Sequence, residues 1–328
     1  MSWKTRQHKS LVKKRTKLAL AVLAVLVSLL LLSQIIQFIS LLTRPLNSEI
    51  SSKNYTWNGE FTLNFVTNTK PLSLVSFSPQ DRKVTILTIP DATLVDVPGG
   101  FGKWQIRAIH QLGGENLVKS SVSQFLGIPV DGFSSHNLVD HFRGNLFSGM
   151  KILPELHSDL TGFELVRLKL GLLQVRFDRI NQIDLEKLSV LEKQKLADGS
   201  EVFIVDPIRL DSVMSDLEDP KIKSENLSVA IFNATEYPLL AAKTKRLITN
   251  MGGNVIVTQN APRKVEKSYV DFGSTVVEGE KSKTLDRLKQ IFDLGCSKDP
   301  KCDKISVADL GLAASRAQII VILGEDFK

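Results

Sequence analysis

From Leu18 to Leu42 the chain runs for 25 residues without a charged side chain, and most of them are apolar. As a helix rising about 1.5 Å per residue, the run spans roughly 37 Å, enough to cross a hydrocarbon core of about 30 Å with some tilt. It predicts a transmembrane helix at 18–42. Residues 43–59 are polar and aperiodic and read as a linker lifting a body off the bilayer. A strand-rich stretch follows. Phe61, Leu63 and Phe65 alternate with polar residues, Leu72–Phe77 and Val84–Ile89 are short apolar runs joined by a turn, and Thr93–Val97 stops at Pro98-Gly99-Gly100. Helical spacing at Trp104, Ile106, Ile109 and Leu112 predicts a helix ending at Gly113-Gly114. Leu117, Val118, Val122, Phe125 and Leu126 predict a second, ending at Gly127.

Between 134 and 225 the pattern is weaker. Leu160–Val175 and Leu185–Leu196 suggest helices, and Val202–Val205 suggests a short strand before Asp206-Pro207 restarts a helix. From Asn226 the pattern sharpens again. Leu227–Phe232 alternates as a strand, Leu239–Met251 is an amphipathic helix closed by Gly252-Gly253, and Val255–Thr258, Tyr269–Phe272 and Thr275–Val277 are strand candidates. Thr284–Leu294 reads as a helix and Ala317–Leu323 as a buried strand, so the C-terminal part has the order βαββαβ. Strands and helices alternate throughout, which places the chain in the α/β class, with two domains at 60–220 and 226–328.

Charge changes the picture in two ways. The 17 residues before the apolar run carry Lys4, Arg6, Lys9, Lys13, Lys14, Arg15 and Lys17 and no acid. This basic tail orients the N-terminus to the cytoplasm and the body outward. A cleaved signal peptide is the rival reading. The run is longer than an h-region, and Ser40-Leu41-Leu42-Thr43 is a poor cleavage site. The formal net charge is +7 and the tail holds all of it, so residues 18–328 sum to 7 − 7 = 0. A neutral body has no electrostatic footprint for nucleic acid, and the tail suits anionic lipid at the inner leaflet. Ser33, Gln37 and Ser40 share one face of the apolar run and offer polar groups to the headgroups or to a second helix.

Candidate chemistry is sparse. Cys296 and Cys302 are the chain's two cysteines, and they form either a small loop-closing disulfide or a pair of free thiols. His136 and His141, with Asp131 and Asp140, are the richest ligand cluster. A spacing of five does not put both imidazoles on one helical face, which argues against a zinc site. His110 reads as a packing or surface residue. Asn54, Asn226 and Asn233 open glycosylation triplets, although a turn suffices to explain Asn233.

Two stretches carry a family resemblance. Residues 72–130, with Val84-Thr85-Ile86-Leu87-Thr88-Ile89-Pro90-Asp91-Ala92-Thr93, the Gly113-Gly114 helix end and Phe125-Leu126-Gly127-Ile128-Pro129-Val130-Asp131, resemble the LytR-CpsA-Psr domain. Residues 226–328 resemble the LytR C-terminal module that often follows it, opening with Val229-Ala230-Ile231-Phe232-Asn233-Ala234-Thr235 and closing with Ile320-Val321-Ile322-Leu323-Gly324-Glu325-Asp326-Phe327. The resemblance implies an envelope transferase that moves glycopolymers from a polyprenyl-pyrophosphate carrier to peptidoglycan. Such chemistry needs an apolar slot for the lipid, with arginines, acids and a divalent cation for the pyrophosphate.

The chain departs from that pattern where it matters. Ile89-Pro90-Asp91-Ala92-Thr93 stands where the family has Ile-Pro-Arg-Asp-Thr, so Asp91 takes the arginine position and Ala92 the acid position. Phe65-Val66-Thr67-Asn68-Thr69-Lys70-Pro71 replaces a Gly-rich turn bearing an Asp and an Arg, and no Arg-rich run follows. The domain at 60–220 therefore reads as a degenerate LytR-CpsA-Psr domain without catalytic residues, metal or cofactor. Glycopolymer, lipid carrier, envelope proteins and the membrane are its expected partners, and nucleic acid is not. Under the alternative, an active transferase using Mg²⁺, Lys70, Lys103 and Arg107 are the candidate phosphate- or glycan-binding residues.

Overall fold

The computed structural model describes residues 55–145, 147–273, 282–293, 295–296, 299–311, 314 and 316–327, together with 20, 22–23, 25–37, 39–40, 43 and 45. In chain order it contains β1 (Leu63–Thr67), β2 (Leu72–Ser78), β3 (Lys83–Ile89), β4 (Leu94–Val97), β5 (Gly102–Gln105), α1 (Ile109–Leu126), β6 (Gly132–Ser134), α2 (Leu138–Phe142), α3 (Gly162–Leu172) and β7 (Ile180–Asp184). There follow β8 (Leu191–Lys195), β9 (Glu201–Val205), α4 (Pro207–Met214), α5 (Pro220–Glu225), β10 (Ser228–Asn233), α6 (Leu240–Asn250), β11 (Asn254–Asn260), β12 (Tyr269–Phe272), α7 (Lys283–Phe292) and β13 (Ile319–Leu323).

The central sheet is mixed. β1, β2 and β3 form an antiparallel meander, with Phe65 opposite Val75 and Leu74 opposite Leu87. β6 joins β1 and β7 joins β3, both in parallel, giving the order β6-β1-β2-β3-β7. Apolar side chains alternate along the meander, so each face of the sheet has its own core. On one face Val66, Leu74 and Leu87 meet Val118 and Val122 of α1 and Leu210 of α4. On the other, Phe65, Val75 and Phe77 meet Leu138 of α2 and Leu165 and Leu168 of α3.

Helix α3 starts with a reciprocal cap. Glu164 N donates to Thr161 Oγ1 at 3.3 Å, and Thr161 N donates to Glu164 Oε2 at 2.7 Å. It also lies very close to the sheet, because a Cβ at Gly171 would overlap the Phe77 ring. Asp206 and Asp219 cap α4 and α5, each followed by a proline whose missing N–H costs nothing at that position.

The second sheet has the order β11-β10-β13-β12, with β13 parallel to β10 and antiparallel to β12. Val229, Ile231, Ile319 and Val321 pack under Ile248 of α6 and Leu285 and Leu288 of α7. Ala230, Phe232, Ile320 and Ile322 pack on the opposite face against the segment holding Cys296, Ile305 and Leu310. Cys296 and Cys302 are joined as a disulfide, with their Cα atoms 5.4 Å apart.

Several expectations need correction. Trp104 is not helical: it lies in β5, paired with Val95 of β4, and is 41% exposed. The expected break at Gly113-Gly114 is present: both residues have non-helical backbone, and they divide Ile109–Leu126 into two helical segments. The expected helix at Leu185–Leu196 is a single 3-10 turn at Leu185–Lys187 followed by β8, which hairpins onto β9. The hairpin pairs Leu191 with Val205, and this cross-strand partner overrides the three-residue spacing of Leu185, Leu188 and Leu191. Tyr55 and Trp57 are not linker. Trp57 is buried at 2% exposure, edge-on to Phe77 with ring centroids 6.1 Å apart.

The Thr275–Val277 strand candidate lies outside the described residues. The 18–42 run lies partly outside them, and among the described residues no helix is long and apolar enough to cross a membrane. Within that run, residues 25–37 are helical and exposed.

Candidate functional site at the carboxyl end of the central sheet

β1, β3, β6 and β7 all point the same way, so Thr67, Ile89, Ser134 and Asp184 end on one edge of the sheet. In open α/β sheets the loops leaving carboxyl ends are where ligands bind. Here the β1 loop brings Asn68, Thr69 and Lys70, the β3 loop brings Asp91 and Ala92, and the β6 loop brings Ser135 and His136. Arg107 joins them because its N–H donates to Asp91 O at 3.4 Å. Lys70 and Arg107 thus share this edge, and both are exposed.

Lys103 does not join them. It sits opposite Asp96 in the β4–β5 hairpin and lines a separate cleft of about 400 Å³ with Gln124, Phe125 and Arg246.

The hydroxyl and imidazole groups at this edge are mostly engaged with their own loops. Thr69 Oγ1 donates to Pro71 O at 2.9 Å, Thr67 Oγ1 to Ser73 O at 3.2 Å, and Ser134 Oγ to His136 O at 2.8 Å. Ser135 Oγ lies 2.9 Å from His136 Nδ1 and accepts from His157 N at 3.1 Å. Beneath them Asp159, 3% exposed, accepts from Phe133 N at 2.7 Å and pairs with Lys119. His110 stacks on Phe133 with ring centroids 6.1 Å apart.

His136 and His141 do meet edge to face at 5.9 Å, but Asp140 accepts from Asn137 and Asp131 is used elsewhere. Among the described residues no group of three metal-ligating side chains forms. The edge offers hydroxyls, the exposed cations Lys70 and Arg107, the acid Asp91 and, from the β7 end, Asp184, Glu186 and Lys187, of which Lys187 pairs with Asp184 at 3.5 Å. Charge-assisted contact with a single anionic group is within its reach, whereas a bidentate clamp on a pyrophosphate would need further arginines.

Asp131 belongs to a second site that sequence reasoning did not find. Arg287 of α7 donates to Asp131 Oδ1 at 2.7 Å, with the two side chains 2% and 0% exposed. Tyr55 donates its hydroxyl to the same oxygen and accepts from Arg287 at 3.2 Å, while Asn64 N donates to Asp131 Oδ2 at 2.9 Å. The guanidinium also lies over the Tyr55 and Phe61 rings, at 5.5 and 5.7 Å from their centroids. Burial pushes the Tyr55 hydroxyl far above its ordinary value. Burial alone would lower Arg287, and the neighbouring Asp131 charge more than offsets it, so the guanidinium stays charged.

A second knot lies nearby. Arg246 of α6 donates to Gln124 O and Phe125 O at 3.0 Å each and pairs with Asp211, and Asn250 donates to Leu126 O at 3.3 Å. These carbonyls are the unpaired last turn of α1, so the C-terminal sheet's helix caps a helix of the central sheet.

Residues 226–327 match the family described as the LytR cell envelope-related transcriptional attenuator. That span covers β10 through β13 and carries both Arg246 and Arg287. Solved structures resemble the chain over about half its length. TagT of Bacillus subtilis is 15% identical with a TM-score of 0.38, covering 50% of this chain and 92% of its own. TagV of the same organism is 14% identical with a TM-score of 0.39, covering 48% and 95%. A LytR-CPS2A-psr family protein, YwtF (TagT), with bound octaprenyl pyrophosphate lipid, is 15% identical with a TM-score of 0.38, covering 50% and 92%. The comparison with curated proteins finds no match.

Proposed function

We propose that this chain is a membrane-anchored protein of the cell envelope whose body lies outside the cytoplasm and binds its partners without catalysing phosphotransfer. The anchor reading is supported by the 25-residue uncharged run and its basic flank. The envelope reading is supported by the family matched at 226–327, described as cell envelope-related. The disulfide suits an oxidising compartment. The neutral body argues against a nucleic-acid partner, so nothing is carried over from the word "transcriptional" in that description.

The observation that carries the non-catalytic reading is the charge at the sheet's carboxyl edge. Asp91 shares this edge with Lys70 and Arg107, and its charge repels an anionic leaving group where transfer would need attraction. Charged side chains line the cavities beside Asp81 and Lys83, beside Asp211 and Arg246, and beside Lys264 and Asp299. Envelope glycan, lipid carrier or an envelope protein is the expected ligand of the body.

The full chain in detergent, incubated with a polyprenyl-pyrophosphate-linked glycan and Mg²⁺, is expected to release no glycan from its carrier. Robust turnover would overturn the reading.

One observation favours the alternative, an active transferase with a relocated basic set: Lys103 and Arg246 line the same cleft. On that reading Lys103→Ala abolishes transfer, and unchanged turnover in that variant removes it.

A further inference from the structure

Helix α3 presents two apolar faces. Leu165, Leu168 and Leu172 are buried against the sheet, whereas Phe163, Val166, Leu170 and Leu173 are 36–48% exposed. Their spacing of three, four and three residues lines them along one side of the helix. Phe147 and Phe177 flank the stripe at 72% and 81% exposure. The loop bearing Phe147 is fixed to the helix by Lys169, whose ammonium donates to Phe142 O at 2.6 Å and to Asn145 O and Ser148 O at 2.8 Å. Exposed apolar side chains scattered singly need no explanation, but a contiguous helical stripe does.

Two further observations identify what covers it. Helical residues of the apolar run are described at 25–37, 39–40 and 43, and Pro45 forms a β-bridge with Thr161, the residue that caps α3. Two residues of backbone reach roughly 7 Å, so the start of α3 lies next to Thr43. The next part of the chain stays there as well. Trp57 N donates to Glu164 Oε1 at 2.6 Å, and Arg167 donates to Trp57 O at 2.9 Å. The surface around the stripe is also cationic. In the segment from α2 to the turn after α3, Arg143, Lys151, Arg167, Arg176 and Arg179 are exposed or half-buried, against Asp140, Glu155 and Asp178. The acids and base of the same segment that are buried, Asp159, Glu164 and Lys169, are engaged in the fold.

We infer that the exposed face of α3 lies on the anionic phospholipid of the outer leaflet, laying the body onto the bilayer instead of leaving it free on a stalk. The inference rests on the anchor reading and adds to it an orientation: α4, on the opposite face of the central sheet, looks away from the membrane. An amphipathic surface of this kind, apolar along its centre and basic at its rim, is what an interfacial helix uses.

The test uses the full chain reconstituted into vesicles of phosphatidylcholine and phosphatidylglycerol, with and without bromine on the upper acyl chains. Phe163→Trp adds an indole on the stripe, and Ile208→Trp adds one at a residue 83% exposed on α4. Interfacial faces sit roughly 5–10 Å into the headgroup boundary, so brominated lipid is expected to quench the added emission of Phe163→Trp at least about twofold. Ile208→Trp is expected to show no added quenching, and Leu170→Glu combined with Phe163→Trp to relieve it. Replacing phosphatidylglycerol by phosphatidylcholine is expected to weaken the effect, and undiminished quenching in neutral vesicles would overturn the anionic part of the inference. A chain that resists carbonate extraction but shows no quenching at either position overturns the docking and leaves the anchor standing. An unquenched stripe that cross-links between chains puts a second copy there and overturns it equally. Release by carbonate removes the anchor reading, and this inference with it.

Discussion

The junction between the two sheets and the carboxyl edge of the central sheet use the same residue types, arginine, lysine and aspartate, in opposite settings. At the junction Arg287 and Asp131 are almost fully buried, and both terminal nitrogens of Arg287 and both carboxylate oxygens of Asp131 have a partner in the fold. At the carboxyl edge Lys70 and Arg107 are exposed, and among the described residues neither makes an ion pair. Among the described residues the Arg287–Asp131 pair is thus buried between the two sheets, whereas Lys70 and Arg107 are left to solvent.

The contrast can be broken from the junction side first. Arg287→Ala leaves Asp131 buried and unpaired, and the expected loss is about 3–5 kcal/mol, read as a shift in the urea midpoint of the chain in detergent. Arg287→Met combined with Asp131→Leu should lose less than Arg287→Ala alone, because both charges go together. A double variant as unstable as the single would mean that packing, not charge, joins the sheets. Arg246→Ala uncovers the carbonyls ending α1 at a half-exposed site, with an expected cost of about 1–2 kcal/mol by the same measurement.

A smaller effect is expected with pH. Glu225 receives hydrogen bonds from Thr284, Lys283 N and Ser282 at the start of α7. Burial alone would raise its carboxyl, but those bonds more than offset it and hold it below its ordinary 4.5. A carboxyl lowered in the folded state adds stability above its unfolded value and loses it as pH falls through the folded one. Glu225→Gln should therefore flatten the acid limb below about pH 4.5 while lowering the midpoint at neutral pH. An unchanged acid limb would show that Glu225 is not the group titrating there. The smallest effect belongs to the carboxyl edge, where Lys70→Ala and Arg107→Ala should each shift stability by less than about 0.5 kcal/mol.

The same contrast explains what the sequence makes legible. The meander β1–β3, the helices α3, α4, α6 and α7 and the final strand β13 follow from local apolar spacing and from caps such as Asp206-Pro207. Where tertiary pairing decides, local spacing misleads. Trp104 and Leu191 have helix-like neighbours and lie in strands because β4 and β9 are there to pair with them. The Lys70 and Arg107 edge was reachable, since both follow directly from strand ends. The Asp131–Arg287 pair was not, because its members are 156 residues apart and nothing local at either position announces the other. Trp57 was hidden for a similar reason. A polar, aperiodic stretch reads as linker until its backbone is seen bonded to Glu164 and Arg167.

The order of the second sheet, β11-β10-β13-β12, also has a consequence in time. Its innermost pairing strand is the last of the four to be synthesised, so β10 and β12 wait with open edges until Ile319–Leu323 has emerged. Arg246 and Arg287 reach their partners on the central sheet from helices that pack on this unfinished sheet. A chain interrupted before Ile319 would leave two sticky edges and two unseated arginines at once, a species for chaperones and proteases to recognise. Completion of one five-residue strand thus closes the second sheet.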